Sequence, residues 1–376
     1  MPISRIFSII LLFGLASTLQ GKGAATVYSW PPAKGTLLVV NSYDVTAYSN
    51  QHGGNLPPLA VTTDMAYVSG LARDSSGRIY VTNEATNTVT VYPSGSNGNV
   101  APLAVIGGSN TKLASPGRVT LDAAGRLYVV NSANYPKGAI NVYPPPGAQT
   151  GVINEAPTAI IAGDKTGLND PSAVAVDAEG RIYVTNETGG LRVKGQKLDV
   201  GSVTIYPQGA NGNVKPAAII QGASTGLSFP AGIALDSAND IYIANFDTAN
   251  VGDNFAGGSI TVYAAGSDGD AVPVALITGP DAGLSDTGAI ALDSTGNIYA
   301  ETFIDNANFA GYGVNVYPAG SDGNAEPALT ITGSNTSLTD PSAFTLDGTG
   351  NLYVSNYFGG PNGGGSVIVF PPSSSG

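Results

Sequence analysis

Ala173-Val174-Ala175-Val176-Asp177, a tight turn, then Ile182-Tyr183-Val184-Thr185-Asn186 is the stretch that decides the fold of this 376-residue chain. The pattern returns as Gly232 to Asp236 with Ile241 to Asn245, and as Ala343 to Asp347 with Leu352 to Asn356. Its anchoring aspartates are Asp74, Asp122, Asp177, Asp236, Asp293 and Asp347, a period of roughly 48–59 residues. A unit copied at that period must bury its apolar faces against its own copies, so an all-β ring or rod is expected.

Each unit carries four short strand signals rich in β-branched and aromatic residues, with no helical periodicity. After the two already quoted come Val-Thr-Val-Tyr, as at Val89 to Tyr92, and Pro-x-Ala-x-Ile, as at Pro216 to Ile220. The turns have a mechanism. Asp-x-x-Gly, as in Asp122-Ala123-Ala124-Gly125, supplies a positive φ at Gly and a side chain that bonds back to the turn. Gly320-Ser321-Asp322-Gly323-Asn324 is a hairpin signal. Along the first strand Leu71, Val119, Val174, Ile233, Ile290 and Phe344 face one way, and Ala72, Thr120, Ala175, Ala234, Ala291 and Thr345 the other. Large against small on successive sheets suits radial stacking, so the fold class expected is an all-β β-propeller of four-stranded antiparallel blades. Second and third strands number seven copies, counting Leu37 to Asn41 and Val45 to Tyr48; first and fourth number six. That difference predicts seven blades closed by the termini, with six or eight as the neighbouring counts.

Composition sets the limits. There are 15 Lys+Arg against 27 Asp+Glu, one histidine and no cysteine, while 51 Gly and 25 Pro recur at turn positions. No basic field suits nucleic acid, and without cysteine the ring has no disulfides to hold it. Residues 1–20 read as a secretory signal peptide: Arg5 is followed by an apolar run from Ile6 to Ala16, too short to span a bilayer, and then by small residues. The expected organisation is therefore a signal at 1–20 and a single propeller domain at 26–371. The mature protein is expected outside the cytoplasm, secreted, periplasmic or at the cell surface, with no membrane insertion once the signal is cleaved.

Pro230-Ala231-Gly232-Ile233-Ala234-Leu235-Asp236 with Ile241-Tyr242-Ile243-Ala244-Asn245 resembles the NHL repeat, and Tyr80-Val81-Thr82-Asn83 and Tyr183-Val184-Thr185-Asn186 resemble the YVTN repeat. The likeness covers roughly Leu37 to Phe370. It implies the propeller and says little about activity, because similar propellers include lyases, lactonases, ligand-binding modules and surface-layer proteins.

Strand polarity puts the loops leaving the second strand and those entering the first on one face. Those loops are uneven and rich in aromatic, Asn and Asp residues, which singles out Phe246, Asp247, Phe303, Asp305 and Tyr357 as ligand-binding candidates. Flat rings beside carboxylates suit a sugar or an extended peptide; the same rings could instead pack the loops. Two further candidates break the repeat template. Glu301 stands where other second strands carry Thr, Val, Ala or Ser, and Arg118 stands where inner strands have Gly or Ala. They read as a polar site near the channel mouth or as an isolated pair.

Catalytic signatures are sparse. His52 alone cannot build a zinc site of several histidines, and no thiol nucleophile exists. The function expected is binding or scaffolding toward an extracellular glycan, peptide or protein, with no catalytic residues and no cofactor. One alternative is a metal-dependent lactonase- or lyase-type enzyme, for which calcium is the ion that Glu, Asn and Asp oxygens would suit. Another is a structural cell-surface protein.

Overall fold

The computed structural model describes residues 36–41, 44–49, 59–65, 67–132, 137–188, 201–246, 257–306, 309–357 and 365–371. Within the compact unit Gly53–Pro372 the strands form six sheets that follow one another along the chain, the blades A to F. Blade A runs outward through Val68–Arg73, Ile79–Asn83, Thr88–Tyr92 and Ala104–Ile106. Blade B holds Pro116–Leu121, Leu127–Asn131, Ala139–Tyr143 and Ala159–Ile161; blade C holds Pro171–Val176, Ile182–Asn186, Ser202–Tyr206 and Ala218–Ile220. Blade D holds Pro230–Leu235, Ile241–Asn245, Ser259–Tyr263 and Ala275–Ile277; blade E holds Ile290–Leu292, Ile298–Asn306, Phe309–Tyr317 and Leu329–Thr332. Blade F takes Pro341–Leu346, Leu352–Asn356 and Gly365–Phe370 from the end of the chain. Its outermost strand is Ala60–Met65, from before blade A, with Ile368 opposite Val61 and Val369 opposite Ala60.

The protein is thus a six-bladed β-propeller, which corrects the expected seven. The two extra strand signals, Thr36–Asn41 and Asp44–Ser49, pair only with each other in a two-stranded hairpin. That hairpin falls in the other compact unit, Met1–His52 with Ser373–Gly376. The strand that a seventh blade would need as its outer edge, Ala60–Met65, instead completes blade F. Once it does, every blade has a neighbour on both sides.

Six buried clusters lie one at each blade interface. Ala72 of A packs with Val119 of B, Ala175 of C with Ile233 of D, Ala234 of D with Ile290 of E, and Ala291 of E with Phe344 of F. Blades B and C share Val130, Ile161 and Val174, and the joint between F and A holds Met65, Leu71, Val81, Tyr353 and Val369. The small face of one sheet accepts the large face of the next, as the alternation along the first strand predicts. Dispersion and burial across these interfaces supply most of the cohesion.

Polar ties repeat with the blades. In blades A, B, C and F the tyrosine near the start of the second strand donates to the turn aspartate, as Tyr80 does to Asp74 at 3.0 Å, Tyr183 to Asp177 at 3.0 Å and Tyr353 to Asp347 at 3.3 Å. Where an arginine follows the turn it pairs with the same aspartate and lies over the same ring, as Arg126 does with Asp122 at 2.6 Å and with Tyr128. The strand-end asparagines accept from backbone N–H groups of the loop entering their own blade, Asn186 from Asn169 and Asn245 from Ser228. They are structural pins rather than a ligand ring.

The Asx-Gly-Asx hairpins clasp neighbouring blades. Asp268 accepts from Ile219 N–H, and Asp270 accepts from the N–H and hydroxyl of Ser224, at 2.8, 2.7 and 3.0 Å. Gly222 has φ 145°, and a Cβ there would lie 2.2 Å from Asp270 Oδ1, so glycine is what admits the clasp. In the same role on blade A, the strand Gly151–Ile153 pairs in parallel with Ala104–Ile106. Asp270→Ala removes two acceptor contacts at one joint and is expected to lower unfolding free energy by about 1–2 kcal/mol, read from the urea midpoint at unchanged m-value. Burial alone would raise the Asp347 carboxyl, but hydrogen bonds from Thr349 and Asn351 outweigh it and hold the group at about 2. Its stabilisation is present above its ordinary value of 3.8 and is lost as pH falls through 2. Asp347→Asn should therefore lie closer in melting temperature to the wild type at pH 2 than at pH 6.

Candidate functional site

One position per blade forms a ring around the channel mouth: Glu84, Ser132, Glu187, Phe246 and Tyr357 directly after their second strands, and Phe303 within the longer second strand of blade E. Each donates its N–H to a carbonyl of the loop entering the same blade, of Tyr67, Ser115, Asp170, Phe229, Ser285 and Asp340 respectively. Ser115, Asp170, Phe229 and Asp340 all have φ between 47° and 55°, and each precedes a proline. Left-handed backbone at non-glycine residues costs on the order of 1–2 kcal/mol each. Its repetition at the mouth shows that the ring geometry over-determines these turns.

The mouth divides by chemistry. Blades D, E and F contribute Phe246, Phe303 and Tyr357; blades A and C contribute Glu84 and Glu187. Phe246 is 48% exposed and Tyr67 is 43% exposed, while Phe303 packs edge-on against Tyr312 with centroids 5.2 Å apart. Tyr357 lies 5.3 Å from the Tyr67 ring and donates to Glu84 Oε2 at 3.3 Å, an acceptor that Ser69 also reaches. Of the aromatic candidates, Phe246 therefore presents its ring to solvent and Phe303 is largely a packing residue. Asp247 lies outside the described residues. Asp305 is placed by its backbone, paired with Ala310 in the long hairpin of blade E.

The two template-breaking residues meet. In a ring of six, blade B stands opposite blade E, and Arg118 reaches across the axis to donate Nη1 to the Gly288 carbonyl at 2.7 Å. Glu301 Oε2 accepts from the N–H groups of Gly288 and Ala289 at 3.2 and 3.0 Å. Gly288 thus holds the carboxyl at its N–H and the guanidinium at its carbonyl. In the other blades the inner strand runs six residues; in blade E it shortens to Ile290–Leu292, because Glu301 takes N–H groups at the strand entrance. The space is made by glycine: a Cβ on Gly232 would lie 2.4 Å from the Gly288 carbonyl and 3.1 Å from Arg118 Nη1. Thr287, where four other blades carry proline, has a buried hydroxyl with no partner.

Electrostatics follow from this enclosure. Burial pushes the Glu301 carboxyl up to about 8, with Arg118 and the two backbone N–H groups pulling the other way. Burial also pushes Arg118 below its ordinary value, against the attraction of Glu301 and Glu187. Glu187 is raised by burial and by the Asp170 charge, and Asp170 by burial. Tyr312 is raised to about 12 by burial and then by Asp340. Below the arginine the channel is a cavity of about 350 Å³ walled by the inner strands of all six blades. Among the described residues no three His, Cys, Asp or Glu side chains converge to hold a metal ion, and Glu84 and Glu301 are engaged as above.

Sequence reasoning singled out Arg118 and Glu301 but missed Gly288, which links them, and Tyr67, Asp170 and Asp340, which shape the mouth. The signal for the last two was an Asp directly before the strand-opening proline.

Solved structures similar to this chain share its architecture at low identity. A protein assigned as a gluconolactonase has 14% identity, TM-score 0.49 and coverage of 85% of this chain and 95% of that one. The PQQ-bound aldose sugar dehydrogenase of Streptomyces coelicolor has 14% identity, TM-score 0.47 and coverage of 84% and 99%. The WD40 β-propeller domain of Doa1 has 13% identity, TM-score 0.49 and coverage of 85% and 97%. No family model and no curated protein sequence matches the chain. The fold assignment rests on the strand order and the six interfaces.

A folded Glu301 at about 8, against an ordinary value of 4.5, means that the folded chain keeps a proton the unfolded chain releases. Stabilisation from this group is complete below 4.5 and is lost as pH rises through 8. Between pH 5 and 9 the wild type should lose melting temperature relative to Glu301→Gln, by about 2–4 °C for each kcal/mol involved. A wild type that gains on the variant as pH rises would contradict the assignment.

Proposed function

We propose that this protein is an exported β-propeller of the NHL/YVTN type that binds an extracellular glycan on its long-loop face. The observation carrying this reading is the exposed Phe246 ring, with Glu187 at the equivalent mouth position of the adjacent blade and the Tyr67–Tyr357 pair bonded to Glu84 on the same mouth. A sugar ring offers an apolar face to an aromatic side chain and hydroxyl donors to carboxylates, and a rigid ring of strands holds both in place without ordering cost. Peptide recognition of this kind would use a free sheet edge. Here the outer edges of blades A, B, C and D are taken by the neighbouring blade, as in the parallel contacts of Ile161 with Gly212, Ile220 with Gly269 and Ile277 with Gly323. Export rests on the signal-like segment at 1–20.

Glycan arrays followed by calorimetry on the purified protein test the reading. Phe246→Ala and Tyr357→Ala should each weaken the best glycan about tenfold, equal to about 1.4 kcal/mol, with an unchanged melt. Unaltered affinity in both variants would remove the aromatic face as the site. Mass spectrometry of the exported protein should show the chain shortened near residue 20; an intact N-terminus would refute cleavage.

A further inference from the structure

We propose that the central channel is a second binding site, independent of the long-loop face, for a short aliphatic carboxylate whose charged end sits on Arg118. The cavity of about 350 Å³ has Arg118 toward one end and Arg73 at the other, the last inner-strand residue of blade A. At the level of Arg73, in the same inner-strand position, Leu121, Val176, Leu235, Leu292 and Leu346 complete the ring, and among the described residues no carboxylate lines the cavity. Two of only 15 Lys+Arg in a chain of net charge −12 therefore share one cavity without, among the described residues, a counter-ion on its walls.

Both cations have donors to spare. Arg118 spends Nη1 on Gly288, and among the described residues its Nε and Nη2 make no hydrogen bond. Arg73 lies over the Tyr353 ring at 5.4 Å, and its Nε is buried without a partner. An unpaired buried guanidinium is costly, and the planar fork of N–H groups matches a carboxylate in two-point fashion. Burial raises the Glu301 carboxyl against the pull of Arg118, which weakens it as a counter-charge, and no ion pair joins the two side chains among the described residues. The ring of leucine and valine side chains at the Arg73 end then offers the tail of such a ligand an apolar contact that a hydrated inorganic anion cannot use. A volume near the lower end for ligand pockets limits that chain to a few carbons.

Calorimetric titration of the whole protein at pH 7 with hexanoate, hexan-1-ol and inorganic phosphate tests this. Hexanoate should saturate with a Kd of about 1 mM or tighter, and hexan-1-ol and phosphate should each bind at least about tenfold more weakly. Arg118→Met should weaken hexanoate about tenfold or more, and Arg118→Lys should recover part of the loss. Should Arg118→Met fail to fold, Leu235→Glu sets a carboxylate inside the channel and should abolish hexanoate binding while the protein still melts cooperatively. The proposal is overturned by any of three results: no saturable hexanoate binding to the wild type, hexan-1-ol or phosphate binding as tightly as hexanoate, or a folded Arg118→Met or Leu235→Glu variant that binds like the wild type.

Discussion

A four-stranded sheet of this sequence has two apolar faces, and each must be covered. Alanine and threonine on one face and leucine, valine, isoleucine or phenylalanine on the other let a sheet serve as both socket and plug for its neighbours. An open row would leave one face bare at each end. Pairing of Ala60–Met65 with Gly365–Phe370 joins the two ends, and the cluster of Met65, Leu71, Val81, Tyr353 and Val369 fills the last interface. The polar devices of the fold, the tyrosine–aspartate staples and the Asx-Gly-Asx clasps, work on sheets already held in that circle.

The same closure creates the candidate sites. An even ring sets blade B opposite blade E, so one long side chain can tie them across the axis. In a ring of seven no blade faces another. Arg118 and Glu301 lie 183 positions apart in the chain, yet both bond to Gly288. Each departs from the repeat at its own blade, and each is tolerated because glycine stands at positions 232 and 288. The mouth above them shows the complementary rule: identical backbone positions around the ring are held by one repeated hydrogen bond, which frees the side chains to differ. Three aromatic residues and two carboxylates use that freedom. Variable side-chain chemistry is thereby mounted on a scaffold held by its backbone.

Much of this was legible in the residues and some was not. The period, the four strand signals, the large-against-small alternation and the Asp-x-x-Gly turns are local or nearest-neighbour features, and the structure contains them where the pattern put them. Blade number was not legible, because Leu37–Asn41 carries the same signal as a blade strand and differs only in belonging to a two-stranded hairpin rather than a four-stranded sheet. A strand signal reports propensity and alternation; membership of a sheet depends on which edges are free when the ring closes. Among site residues, Arg118 and Glu301 were visible as breaks in a template. Phe246 and Phe303 looked alike in sequence and diverged in space, one facing solvent and the other packed on Tyr312.

The sequence by itself determined that this is an all-β repeat of four-stranded sheets stacked large face on small face, because those choices are made between residues a few positions apart. Only the tertiary structure decided that the circle holds six blades, that Arg118 crosses it to the Gly288 carbonyl beside Glu301, and that two arginines share one channel. The reason is geometric. Contacts across the axis of a ring depend on its count and curvature, which are properties of the closed set of interfaces and are encoded in no single repeat.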